Sequence, residues 1–199
     1  MADLPDLILL NGSSSAGKTS ICKVLQEILP EGYLHFSVDD VFPWTPPRWH
    51  GSDEGFRFTP LSNGELPLAL GPEARRVLRA WRRMVRAALD AGVRAVLDDV
   101  FLDAEARPDW AETLAGRDVF LVGVRCGLAE LQRREKSRGD RGVGQALSQH
   151  ERVHGYGPYD FEVDTTSTSP SACAAAVAAA LAARPRPSVL ALRPAVAAG

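Results

Sequence analysis

Residues 7–20 read LILLNGSSSAGKTS, an apolar run that gives way to a Gly/Ser turn and then to Lys-Thr. Leu7 to Asn11 predicts a short strand buried on both faces. From residue 18 the apolar positions Ile21, Val24, Leu25, Ile28 and Leu29 follow helical spacing, with Pro30 and Gly32 as a stop. A strand passing through a tight turn into a helix is the opening of a parallel α/β sheet. The turn itself, Gly12-Ser13-Ser14-Ser15-Ala16-Gly17-Lys18-Thr19, fits GxxxxGK[ST] in full.

The residue types in that turn have a chemical reason. A polyphosphate carries several negative charges that must be met without bulky side chains in the way. Gly12 and Gly17 let the backbone curl so that successive N–H groups point inward. The helix N-terminus adds a partial positive charge. Lys18 is expected to reach the β- and γ-phosphates, and the Thr19 hydroxyl to ligate Mg²⁺. The expected ligands are therefore a nucleoside triphosphate, ATP in the first place, and Mg²⁺. The nucleotide site predicted is Gly12 through Thr19 (Ser13, Ser14, Ser15, Ala16 and Lys18 included), with Ser20 beside it and Arg134 from farther along.

Strand and helix signals alternate along the rest of the chain. Strands are predicted at 33–38, 93–97, 118–124 and 161–164, and helices at 73–90, 104–115, 127–137, 143–153 and roughly 170–183. Apolar strands alternating with helices imply a parallel sheet covered on both faces. Residues 42–71 break the pattern with many Pro and Gly and no clean period, which reads as an irregular, lid-like insertion. In the helix at 73–90 the stripe Val77, Leu78, Trp81, Val85, Ala88 and Leu89 faces inward. Arg75, Arg76, Arg79, Arg82, Arg83 and Arg86 fall largely off it and read as a solvated face. The expected organisation is one domain over 1–183, with an acceptor-binding insertion at 41–70 and an arginine lid at 133–145. The Pro-containing tail 184–199 is expected to be flexible or loosely packed.

Acids stand where ligands of open parallel sheets bind, beyond the carboxyl ends of strands. Asp39 and Asp40 end the second strand. A carboxylate there can take the proton of an acceptor hydroxyl, or it can be a helix cap or solvated turn. Asp98 and Asp99 end the third strand, the usual place of the Mg²⁺-side acid in P-loop proteins. Alternation sends the two to opposite faces. Asp98 is the one assigned to the metal and substrate side, with the register between it and Asp99 left open. Residues 133–141, RREKSRGDR, space Arg134, Arg138 and Arg141 to surround a polyphosphate, with Gly139 giving the backbone room to bend.

Bulk properties narrow the class. A net charge of −2 offers no basic field for nucleic acid or an acidic membrane. No run approaches the roughly 20 apolar residues of a membrane span. Cys22, Cys126 and Cys173 are odd in number and far apart, so neither a disulfide framework nor a zinc site is expected. The start of the sequence lacks the basic, apolar character of a secretory signal, so cytoplasmic residence is the expectation. No feature bears on oligomeric state.

Six ordered blocks carry a resemblance: LNGSSSAGKTS (10–20), FSVDD (36–40), LDDVFL (97–102), VGVRC (122–126), RGDR (138–141) and VHGYGPYDFEVDTT (153–166). Together they resemble the chloramphenicol phosphotransferase-like family of P-loop kinases. The resemblance implies a P-loop NTPase three-layer α/β sandwich with a five-stranded parallel sheet. It implies ATP- and Mg²⁺-dependent phosphorylation of an antibiotic hydroxyl, which inactivates the drug. It makes Asp39 the catalytic base, Gly17, Lys18 and Thr19 part of the nucleotide site, and Arg138 and Arg141 part of the lid. Residues 41–70 depart from the chloramphenicol enzyme. Trp44 and Trp49 are expected to stack on a planar acceptor ring and Arg48 to meet an anion. The acceptor expected is chloramphenicol or another hydroxylated antibiotic, nucleoside-type drugs included. The alternative is a metabolic kinase of a sugar, sugar acid or nucleoside.

Overall fold

The structure, a computed structural model of the chain, describes residues 4–139 and 142–191. Its centre is β1 (Leu7–Asn11), buried along its whole length. Alternation divides this strand between two cores. Ile8 and Leu10 join one cluster with residues of α1 (Lys18–Ile28), α4 (Leu128–Arg138) and α6 (Pro170–Ala180). Leu7 and Leu9 join the other with residues of α2 (Pro72–Asp90) and α3 (Ala106–Thr113). Two separate apolar faces on one strand require helices on both sides of the sheet, and the fold is the expected three-layer sandwich.

The main sheet contains β2 (Tyr33–Ser37), β5 (Arg94–Asp99), β1, β6 (Val119–Arg125) and β7 (Phe161–Asp164), in that spatial order. All its pairs are parallel. From β1 the chain crosses to β2 at one edge, fills the gap with β5, and then passes to β6 and β7 on the other side, so the loop after β1 lies at the switch point where ligands bind in such sheets. Leu10 pairs with Asp98 and Asn11 with Asp99. That register brings the β5 acids level with the start of the Gly/Ser loop.

The segment expected to be irregular has a small fold of its own. It holds 3-10 turns at Val38–Trp44 and Pro47–Trp49, then an antiparallel pair, β3 (Phe56–Phe58) with β4 (Leu68–Leu70). Each strand is three residues long, too short to show a period in the sequence. The helix expected over 143–153 is only α5 (Gln145–Gln149), followed by a 3-10 turn at Arg152–His154.

Of the tail expected at 184–199, residues 192–199 lie outside the described residues, while in 184–191 Leu190 is buried in the α2/α3 core and Arg184 pairs with Asp118. Asp160 ties down Ser188, and its Oδ1 accepts from Val189 N at 2.8 Å. The arginines of α2 are not all solvated. Arg82 is buried, donates to Asp109 at 2.6 Å and lies 5.5 Å over the Trp110 ring. Trp110 in turn meets Trp81 edge-on, with ring centroids 5.5 Å apart.

Candidate active site

The loop between β1 and α1 is shaped by close approach. A Cβ on Gly12 would sit 2.4 Å from the Val124 carbonyl oxygen, so only glycine lets the loop lie on β6. Gly17 caps α1 with φ 87° and Ser15 also takes a positive φ of 64°. Positive φ at these positions is the backbone form from which phosphate cradles are built, and within the loop Ala16 N donates to the Ser13 carbonyl at 3.3 Å. Lys18 is buried, and its Nζ donates to the carbonyls of Gly12 and Ser13 at 2.9 Å each. Ser15 Oγ is buried with no hydrogen-bond partner among the described residues. An orphaned hydroxyl inside a cradle of N–H groups fits a polyphosphate ligand.

The end of β7 grips this loop. The Thr165 hydroxyl donates to the Ala16 carbonyl at 2.9 Å. Arg134 donates through Nη2 to the Thr165 carbonyl at 2.6 Å and through Nε to Glu130 at 2.7 Å. Its Nη1 lies 3.6 Å from where a Gly17 Cβ would be, so the guanidinium stands over the loop. Arg133 and Arg134 hold the Glu130 carboxyl down at about 2. On the other side of β1, Asn11 Nδ2 donates to the Val153 carbonyl and the Tyr159 hydroxyl at 2.8 Å each. The block 153–166 is therefore a brace for the phosphate loop.

Two cavities meet at the carboxyl edge of the sheet. The first, about 500 Å³, is bordered by Gly17, Lys18, Thr19, Ser20, Asp98, Arg134, Arg138 and Thr165. The second, about 590 Å³, has an apolar wall of Phe42, Phe56, Phe58, Leu68, Leu70 and Leu78. Arg75, Arg79 and Arg82 border it from α2. Ser14, Val38, Asp39 and Val100 belong to both cavities. Asp39 is exposed at the start of the turn that Ser37 caps through its Oγ, which accepts from Asp39 N at 3.3 Å.

Asp98 and Asp99 part as strand alternation requires. Asp98 borders the first cavity, with His35 Nε2 at 2.7 Å and the Ser37 hydroxyl donating at 3.0 Å. Burial pushes its carboxyl up, but His35, the Lys18 ammonium and Ser37 outweigh burial and hold it below the usual range. Asp99 borders the second cavity and accepts from Trp110 Nε1 at 2.6 Å and Val100 N at 2.7 Å. Burial dominates there, and its carboxyl is raised. Thr19 and Asp98 offer oxygen ligands on the phosphate side, the donor type Mg²⁺ prefers, so these residues fit that ion.

The other expected residues fall as follows. Ser13 and Ala16 are buried in the loop, with Ser13 O engaged by Lys18. Arg138 ends α4 beside the first cavity, before Gly139 turns the chain with φ 67°. Arg141 lies outside the described residues. Trp44, Arg48 and Trp49 border neither cavity. Trp44 is 58% exposed, and Arg48 lies 5.9 Å over the Trp49 ring. Phe42 of the same segment, though exposed, borders the second cavity, stacked on His50 at 4.1 Å and edge-on to Phe56 at 5.4 Å. The phenylalanines, not the tryptophans, make the wall.

Sequence reasoning missed Gln145 and Gln149, both buried and both bordering the second cavity. Their spacing by one helical turn was the signal that could have found them. Gln149 Oε1 accepts from Ser14 N at 2.7 Å. Glu135, 1% exposed, accepts from Gly144 N and Ala146 N at 2.8 Å each and fixes the start of α5.

Comparison with known proteins agrees with this arrangement. Two Mycobacterium tuberculosis proteins, from strains CDC 1551 / Oshkosh and ATCC 25618 / H37Rv, carry O-phosphotransferase as a provisional name. Each is 33% identical over 181 residues, covering 82% of this chain and 77% of the relative. Among solved structures, a sugar kinase from Janibacter sp. HTCC2649 aligns with TM-score 0.63 at 18% identity, covering 87% of this chain and 92% of that one. A gluconokinase from Sinorhizobium meliloti 1021 aligns with TM-score 0.58 at 16% identity, covering 90% and 93%. At such identity these structures establish the fold. The family model described as "Chloramphenicol phosphotransferase-like protein" matches residues 5–182, the stretch that holds the loop, both cavities and the β7 brace. The chain is a kinase and belongs to the chloramphenicol phosphotransferase-like family.

Proposed function

We propose that the chain transfers the γ-phosphate of ATP, with Mg²⁺, to a hydroxyl of a small antibiotic, either chloramphenicol-like or nucleoside-type, and so inactivates it in the cytoplasm. The observation that carries this reading is the position of Asp39. It borders both cavities, where a bound triphosphate and a bound alcohol would meet. Its carboxylate takes the proton as the acceptor oxygen forms its bond to the γ-phosphorus. General-base help of this kind is worth about 10²–10⁴ in rate. Lys18, Arg134 and Arg138 offset the charge on the phosphate oxygens. Arg141 shares the lid motif and is assigned the same task. Thr19 and Asp98 would hold Mg²⁺, which would neutralise phosphate charge.

The apolar wall supports an acceptor with a hydrophobic or aromatic part. Phe42, Phe56 and Phe58 offer ring faces and edges to such a group. One observation favours a second reading, a sugar-acid or other metabolic kinase. Arg79 borders the second cavity and makes no ion pair among the described residues, while Arg75 and Arg82 are paired with Asp103 and Asp109. An acceptor carboxylate could take that place.

The test is an acceptor screen. The protein, ATP and Mg²⁺ are incubated with chloramphenicol, nucleoside antibiotics, nucleosides and sugar acids such as gluconate, and each is read for a mass gain of one phosphoryl group. A gain on an antibiotic is expected. A gain on sugar acids alone transfers the conclusion to the metabolic reading.

A further inference from the structure

We propose that Gln149 is a catalytic residue that holds the attacking oxygen, donating from Nε2 to it while Oε1 stays fixed on the phosphate loop. This rests on the phosphotransfer reading above and assigns a residue that reading does not use. Gln149 is 7% exposed. Its Oε1 accepts from Ser14 N at 2.7 Å, and that bond fixes the amide's orientation, because an N–H cannot face the NH₂ end. Nε2 makes no hydrogen bond among the described residues, and Gln149 borders the second cavity. An amide held by its oxygen, with Nε2 unpartnered among the described residues and the residue bordering the cavity, is arranged to donate to a ligand there.

The geometry around it is fixed. Glu135 clamps the start of α5 through Gly144 N and Ala146 N, so Gln149 is indexed to α4 as well as to the loop. Ser14 and Asp39 border both cavities, and Gln149 is bonded to the first of these. An alcohol oxygen seated there needs one partner to accept its proton and another to hold its lone pair. Asp39 can only accept and Gln149 Nε2 can only donate. In the transfer step the acceptor proton passes to the Asp39 carboxylate and the new O–P bond forms. The bond from the γ-phosphorus to the bridging oxygen breaks, and its electron pair leaves on ADP. Gln149 keeps the oxygen in line throughout. Without an alcohol, water occupies the same seat, so slow ATP hydrolysis reads the same donor.

The experiment measures acceptor-free hydrolysis of saturating ATP with Mg²⁺, and nucleotide affinity, for wild type, Gln149→Leu and Gln149→Glu. Glutamate is nearly isosteric and still accepts from Ser14 N, but it has no N–H to donate. Both variants are expected to release phosphate about tenfold or more slowly. The glutamate variant should bind ADP within about threefold of wild type, because it keeps the acceptor for Ser14 N and ADP binding involves no attacking oxygen. A glutamate variant that hydrolyses at the wild-type rate overturns the proposal and leaves the Ser14 bond purely structural. A wild type that binds ATP yet releases no phosphate above background overturns it too. Failure to bind ATP at all would refute the kinase reading itself, and the affinity measurement tells the two failures apart.

Discussion

Asp98 and Asp99 are neighbours in the chain and serve opposite sides of the sheet. Asp98 faces the phosphate loop with His35 and Ser37, and Asp99 faces the second cavity with Trp110 and Arg82. Their carboxyls shift in opposite directions for that reason, Asp98 down and Asp99 up. The pair stands between the two cavities, Asp98 on the first and Asp99 on the second.

Asp99→Val is expected to lower stability and leave nucleotide affinity unchanged. It strands the Trp110 indole N–H and Val100 N without an acceptor, and each stranded group costs about 1–3 kcal/mol. Urea unfolding reads the first effect and nucleotide titration the second. A variant as stable as wild type would show that water replaces the carboxylate.

Asp39→Asn keeps the shape of the side chain and removes its basicity. Turnover should fall by about two to four powers of ten while ATP affinity stays near wild type. Unchanged turnover would remove Asp39 from the mechanism.

Lys18→Ala acts on both ground state and transition state, because its charge meets phosphate in each. Triphosphate affinity and transfer should both fall, measured by titration and by initial rates. Full activity would contradict the nucleotide-site assignment.

His154 sets a pH dependence of stability. Burial first, and then Arg125, lower its pKa from 6.5 to about 4. Between those values the unfolded chain binds a proton that the folded chain refuses, so unfolding is favoured as pH falls from 6.5 towards 4. The melting temperature should drop over that window, and His154→Asn should flatten the drop. An equally steep drop in the variant would place its origin in other groups.

The fold was legible because its central strands are continuous apolar runs that alternate with helical periods. The alternation of Leu7, Ile8, Leu9 and Leu10 divides two cores, and the same alternation separates Asp98 from Asp99. The three-residue strands β3 and β4 exist through pairing with each other, and no local pattern marks them. Trp44 and Phe42 are equivalent to a composition argument, and only the 3-10 turn decides which faces the cavity. Arg82 lies by its spacing at the border of the inward stripe, one turn from Leu78 and from Val85, and only its charge suggests a solvated face. It becomes buried because Asp109, 27 positions away, arrives to pair with it. Gln149 belongs to no motif, and its bond to Ser14 spans 135 positions.

The most direct test of the central claim is the stoichiometry of transfer. With γ-labelled ATP, Mg²⁺ and the best acceptor from the screen, label on the acceptor is counted against ADP formed. The account predicts close to one labelled phosphoryl group on an acceptor hydroxyl per ADP. ADP accumulating with free phosphate alone, and no label on any acceptor, would contradict it.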